Sequence, residues 1–113
     1  VAHCFTGDAG FAAALVERGW MVSFSGILTF ASAGALRQVA AGIPGESLLV
    51  ETDTPFLSPV PFRGQPNRPA RVAYTAAALA EIRGVSPGYI AGLTAENARR
   101  LFGINENRDK VSL

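Results

Sequence analysis

The chain reads as an α/β protein built on parallel strands, and three observations carry that reading. Apolar runs stand at 1–5, 20–24 and 48–53, each short and bounded by glycine, proline or polar residues, as strands buried on both faces are. The stretches between them carry apolar residues at helical spacing. The order is strand, helix, strand, helix, strand with short connections, which suits right-handed parallel crossovers.

Each element has its local reason. Val1–Phe5 opens as a strand and places His3 near its end. Asp8 is suited to cap a first helix that turns Phe11, Ala12, Leu15 and Val16 to one face, and Gly19 stands just past its end. Trp20–Phe24 forms the second strand, with Ser25 and Gly26 as a turn at its tip. Ser32 or Thr29 caps a second helix through Ala33, Leu36, Val39 and Ala40, closed by Gly42 and Pro44. Leu48–Asp53 is the third strand. The next stretch, 54–69, is rich in proline and reads as a shaped loop over a site rather than a flexible linker. A helix from Pro69 to Arg83 follows, with Val72, Ala76 and Leu79 inward and Gly84 as terminator. Ser86 and Pro87 open a short helix, and Thr94 caps a last one carrying Ala98, Leu101 and Phe102 before Gly103. Residues 104–113 read as a frayed polar tail, and Trp20, Phe24 and Phe30 as interface packing.

Composition excludes several classes. With 49% hydrophobic and 17% charged residues the chain is globular material, not a disordered tail. A net charge of +1 offers no general attraction for nucleic acid, and the one local basic group is Arg63, Arg68 and Arg71. The single cysteine, Cys4, forms no internal disulfide, which points to a buried structural thiol and a reducing, cytoplasmic setting. No apolar run approaches the roughly 20 residues of a membrane span. Three parallel strands with their helices do not close a sheet, and the chain opens within a strand. It is expected to be the C-terminal portion of a larger α/β protein, with an open apolar sheet edge that favours association.

The chemistry-bearing residues gather at strand tips. Glu51-Thr52-Asp53 ends an apolar strand with two acids, a costly arrangement without a cation, and His3 ends another. Imidazole and carboxylate form a common ligand set for Zn²⁺, Mn²⁺ or Mg²⁺. From these residues alone, a metal site and a hydrogen-bonded structural pair both stand. Alternation along a strand puts Glu51 and Asp53 on one face.

Five motifs occur in the order seen in TatD-like metal-dependent deoxyribonucleases. They are His3-Cys4-Phe5-Thr6-Gly7, Val22 to Phe30 (VSFSGILTF), Leu48 to Leu57 (LLVETDTPFL), Pro59 to Pro69 (PVPFRGQPNRP), and Thr94-x-x-Asn97-x-x-x-Leu101-Phe102-Gly103. Residues 1–103 therefore resemble the C-terminal portion of that family's domain. The resemblance implies about strands six to eight, with flanking helices, of a (β/α)₈ TIM barrel of the metal-dependent hydrolase type. It implies hydrolysis of phosphodiester bonds, typically in DNA, with one or two divalent ions (Mg²⁺, Mn²⁺ or Zn²⁺). His3 resembles the last histidine ligand of the family and Asp53 its final aspartate. Asp53 would then ligate a metal and orient or deprotonate the attacking water. Glu51 would stand behind the ligands or contact substrate, Arg63 would hold a phosphate, and Asn67 would bind substrate or pin its loop. Phe62 stands where the family usually has His or Tyr. The family's remaining ligands are not here, since there is no His-x-His and His3 is the only histidine. The isolated chain is therefore expected to be inactive. Two alternatives remain, a catalytically incomplete fragment and a non-enzymatic binding module whose His/Asp pair is structural. Oligomeric state is left open.

Overall fold

The computed structural model describes residues 1–104. Its elements, in chain order, are α1 (Ala9–Glu17), β1 (Val22–Phe24), α2 (Gly34–Gly42), β2 (Leu48–Val50), α3 (Val72–Arg83) and α4 (Pro87–Phe102), with 3₁₀ turns at Gly26–Thr29, Gly45–Ser47 and Pro69–Arg71. β1 and β2 pair in parallel, Val22 opposite Leu48 and Phe24 opposite Val50. The opening segment joins the far edge of β1 through a parallel bridge between Ala2 and Val22. The three extended segments thus lie in sequence order, with β1 in the middle and buried along its whole length.

Both working strands are shorter than the apolar runs that encode them. The first run is reduced to a bridge because Cys4 turns to φ 51°, out of the extended region, so the ladder ends there. The third leaves the ladder after Glu51, whose N–H still donates to the Phe24 carbonyl at 2.9 Å, and Asp53 adopts φ 53°. Among the described residues, β2 has no neighbour on its second edge.

The helices follow the sequence with three differences. Asp8 caps α1, accepting the Phe11 N–H at 2.8 Å, and Gly19 takes φ 78° beyond it. The N-terminus of α2, however, has Ala33 at the cap position with no side-chain bond. Thr29 is engaged elsewhere, donating to the Gly26 carbonyl and accepting the Val60 N–H at 2.9 Å. The last two expected helices are one. α4 runs unbroken from Pro87, capped by Ser86, to Gly103, which is left-handed at φ 69°. Thr94 lies in its interior and turns its hydroxyl back to the Ile90 carbonyl at 2.8 Å, so it satisfies itself without starting a new helix. Phe11 and Trp20 also differ from expectation, at 57% and 47% exposed; Phe11 instead stacks on the outside of buried Phe5, ring centroids 6.0 Å apart.

The core forms where the helices meet the strands. Val22, Phe24, Leu28, Leu48, Leu79 and Ile90 are fully buried. α3 packs against α2, α4 and the Gly26–Thr29 turn, while α4 lies against β2. Two polar side chains lock this layer. Asn97, 1% exposed, donates to the carbonyls of Gly45 and Leu48, both at 2.8 Å, and so fixes the entry to β2. Arg83 reaches from the end of α3 to the carbonyls of Ala40, Ala41 and Ile43, satisfying the open C-terminus of α2. No helix among the described residues is long and apolar enough to cross a membrane. Of the tail expected over 104–113, all but Ile104 lies outside the described residues.

Candidate metal centre

The strand tips bring together three of the residues singled out from the sequence. His3, Glu51 and Asp53 each direct a ligand-type atom into one small region, all within 4.8 Å of one another. The parallel register explains this. β1 separates the two outer segments by one strand on each side, and both outer segments leave the ladder at the same end.

Glu51 is the most constrained of the three. Its side chain is 18% exposed, and Oε2 accepts the backbone N–H of Cys4 at 3.0 Å. Oε1 is buried and has no aligned hydrogen-bond donor, although Nδ1 of His3 stands 2.6 Å away. A buried carboxylate oxygen without an aligned partner is costly unless a proton or cation completes it. The opposite environment holds for His3, whose side chain is 67% exposed. Asp53 is half-buried, and its left-handed backbone is one of only three such non-glycine positions among the described residues, with Cys4 and Leu57. Two of the three therefore sit at the cluster, where strained backbone commonly collects at functional sites. The donor set fits a divalent ion: oxygen and nitrogen atoms, one of them buried and incompletely paired, spanning little more than twice the roughly 2.0–2.2 Å metal–ligand bond.

The loop residues are placed differently. Asn67 is 4% exposed, and its amide donates to the Thr52 carbonyl at 2.6 Å and the Phe56 carbonyl at 2.9 Å, while its oxygen accepts the Arg68 N–H. These are the bonds of a loop pin. Because Thr52 lies between Glu51 and Asp53, the pin also holds the segment that carries both acids. Arg63 is exposed, and its guanidinium lies over the Phe30 ring, 3.8 Å from the centroid, outside the acid–imidazole cluster. Arg71 covers Phe62 in the same way at 3.9 Å, and Phe62 meets Tyr74 edge-on at 4.9 Å. Phe62 thus takes up a packing role where a polar residue would face outward.

Two contributors were not legible in the sequence. Cys4 supplies the backbone N–H that fixes Glu51, and its thiol contacts the Ser25 hydroxyl at 3.5 Å. A bare cysteine after His3 carries no signal for a left-handed backbone. Gly26 is the other: a Cβ there would collide with the Leu57 carbonyl and the Pro59 nitrogen, so its absence lets the proline loop lie directly on the turn after β1.

Parallel strands whose ends present a clustered imidazole and two carboxylates define an α/β protein with a candidate metal site. Comparison with known proteins gives the family. The model of TatD related DNase matches residues 1–103, and the chain belongs to that family. It is 46% identical over 108 residues to the uncharacterized metal-dependent hydrolase YcfH of Escherichia coli (strain K12), covering 96% of this chain and 41% of that protein. It is 45% identical to the uncharacterized metal-dependent hydrolase YabD of Bacillus subtilis (strain 168), covering 93% and 41%. Among solved structures, that of YJJV, a TatD homolog of Escherichia coli K12, superposes with a TM-score of 0.84 at 36% identity, over 91% of this chain and 40% of that one. A TatD family hydrolase of Entamoeba histolytica shares the fold, with a TM-score of 0.80. The chain spans about two-fifths of the length of these relatives.

Proposed function

We propose that the chain supplies the closing part of a metal-dependent phosphodiesterase acting on DNA, with His3 and Asp53 as ligands of a divalent ion. The observation that carries the reading is the convergence of His3, Glu51 and Asp53 at one end of the parallel strands. Membership of a family described as DNases and similarity to proteins named metal-dependent hydrolases support it. On this reading residues 1–103 are the last three βα units, about strands six to eight, of an eight-stranded barrel, and the tail beyond is accessory. On the same reading the sheet would continue at the unpaired edge of β2 and beyond the first segment.

When bound, an ion such as Mg²⁺, Mn²⁺ or Zn²⁺ neutralises phosphate charge and acidifies water. The chain's own residues do the positioning. Asp53 presents its carboxylate at the tip of the third segment, where it would hold the ion and could accept a hydrogen bond from water. His3 would add a nitrogen ligand from the first segment, on the other side of β1. Asn67 keeps the Glu51–Asp53 segment in place through the Thr52 carbonyl. Arg63, exposed on the proline loop, is free to turn from Phe30 to a phosphate oxygen pair.

The test is Mn²⁺- or Mg²⁺-dependent digestion of single-stranded DNA. With His3 as its only histidine, the chain alone carries a partial ligand set and is expected to be inactive. The same chain, exchanged for the matching segment of YcfH, is expected to give a metal-dependent nuclease that Asp53→Asn slows at least ~100-fold. Activity unchanged by Asp53→Asn would remove Asp53 from the centre.

A further inference from the structure

We propose that Glu51 is a positioning residue that fixes the tautomer and orientation of His3, so that Nε2, and not Nδ1, is the nitrogen offered to the ion. The proposal rests on the metal-centre reading above for its purpose, and on the contacts of Glu51 for its geometry.

Three ligand-type atoms close together suggest three ligands, but the distance between Glu51 and His3 argues otherwise. Atoms bound to one ion at about 2.0–2.2 Å stand roughly 3 Å or more apart, at right-angle or tetrahedral geometry. Oε1 of Glu51 and Nδ1 of His3 are 2.6 Å apart, which is the separation of a charge-assisted hydrogen bond. Two lone pairs this close repel, so the contact is favourable only if one of the two atoms carries a proton. An ionised carboxylate is acceptor-only, and the imidazole is the donor. Oε1 has no aligned donor as the ring stands, so on this proposal the exposed imidazole turns to bring Nδ1–H into line with it.

The second arm of the carboxylate makes this a fixed post. Oε2 accepts the N–H of Cys4, the residue following His3, at 3.0 Å. That N–H faces Glu51 while Cys4 sits at φ 51°. One carboxylate therefore ties both the ring and the main chain of the first segment to the third. Packing does little to hold a ring whose side chain is 67% exposed, so an acceptor on Nδ1 is what determines where Nε2 faces. Asp53, two residues on and on the same face, remains to share the ion with Nε2. A carboxylate behind a metal-binding histidine commonly changes metal affinity by 10–100-fold when removed.

His3 is the only histidine in the chain, so its ring nitrogens can be read without ambiguity by long-range ¹H–¹⁵N correlation in the uniformly labelled 113-residue protein. In the neutral ring of metal-free wild type, Nδ1 is expected to carry the proton and Nε2 to be bare. In Glu51→Gln a single amide oxygen must serve two donors, and the ring is expected to shift toward the Nε2–H form that a histidine side chain in water prefers. Mn²⁺ affinity, measured by calorimetry in the chimera that carries this chain in place of the matching segment of YcfH, is expected to fall roughly 10–100-fold in Glu51→Gln. A wild-type ring in the Nε2–H form overturns the proposal without any variant, as does a tautomer that Glu51→Gln leaves unchanged. An Nδ1–H ring that depends on Glu51, together with a chimera that binds no Mn²⁺, supports the contact and sinks the metal reading instead.

Discussion

Glu51 and Asn67 are both polar, both on or beside the loop after β2, and both largely buried, yet they are opposite in kind. Every polar atom of Asn67 is paired with the main chain, at Thr52, Phe56 and Arg68. Glu51 keeps one oxygen without an aligned donor, beside an exposed imidazole and an acid in strained backbone. The difference teaches where chemistry can reside. The proline loop spends its polar groups on its own shape, so it rigidifies the segment it pins. The strand tips leave theirs incompletely satisfied, so a ligand that completes them gains what folding did not supply.

Substitutions that break the loop should cost stability and those at the tips should not. The largest effect is expected at Gly26, where a methyl would strike main-chain atoms that cannot swing aside. Gly26→Ala is expected to lower stability by about 3 kcal/mol in urea denaturation, and a neutral result would mean that the loop is not seated on the turn. Asn67→Ala leaves two carbonyls without their donor and is expected to cost about 2–3 kcal/mol, read the same way. At the tips the sign reverses. Asp53→Gly relieves a side chain from left-handed backbone and is expected to raise the melting temperature, by an amount equivalent to roughly 0.5–1 kcal/mol, while removing one carboxylate from the cluster. A fall in melting temperature would place Asp53 with Asn67 as structural, and the contrast would fail. The smallest effect is expected for Arg63→Ala, about 0.5 kcal/mol, because its contact with Phe30 lies at an exposed site. A cost above ~2 kcal/mol would show that Arg63 is a structural member of the loop.

Much of this arrangement was legible beforehand, and the exceptions share a cause. The Asp8 cap, the breaks at Gly19, Gly84 and Gly103, and the apolar runs of β1 and β2 act within a few residues, and the structure carries them as read. Thr94 was misread as a cap because a threonine inside a helix and one at its start look alike until its hydroxyl is seen on the Ile90 carbonyl. Trp20 was misread as buried because its size suggests burial and its neighbours leave it at the surface. Strand ends were overextended because left-handed turns at Cys4 and Asp53 depend on what those residues meet across the sheet.

By itself the sequence determined the order of elements, the family through its five spaced motifs, and the residue types of the centre, because each is encoded by local pattern or identity. Only the tertiary structure decided how the same residues divide their work. That Asn67 pins while Glu51 stands against His3, and that Gly26 admits the proline loop, depend on atoms brought together from distant parts of the chain. Contacts across the sheet follow from register and packing, whose free energy belongs to the whole fold and to no single stretch of sequence.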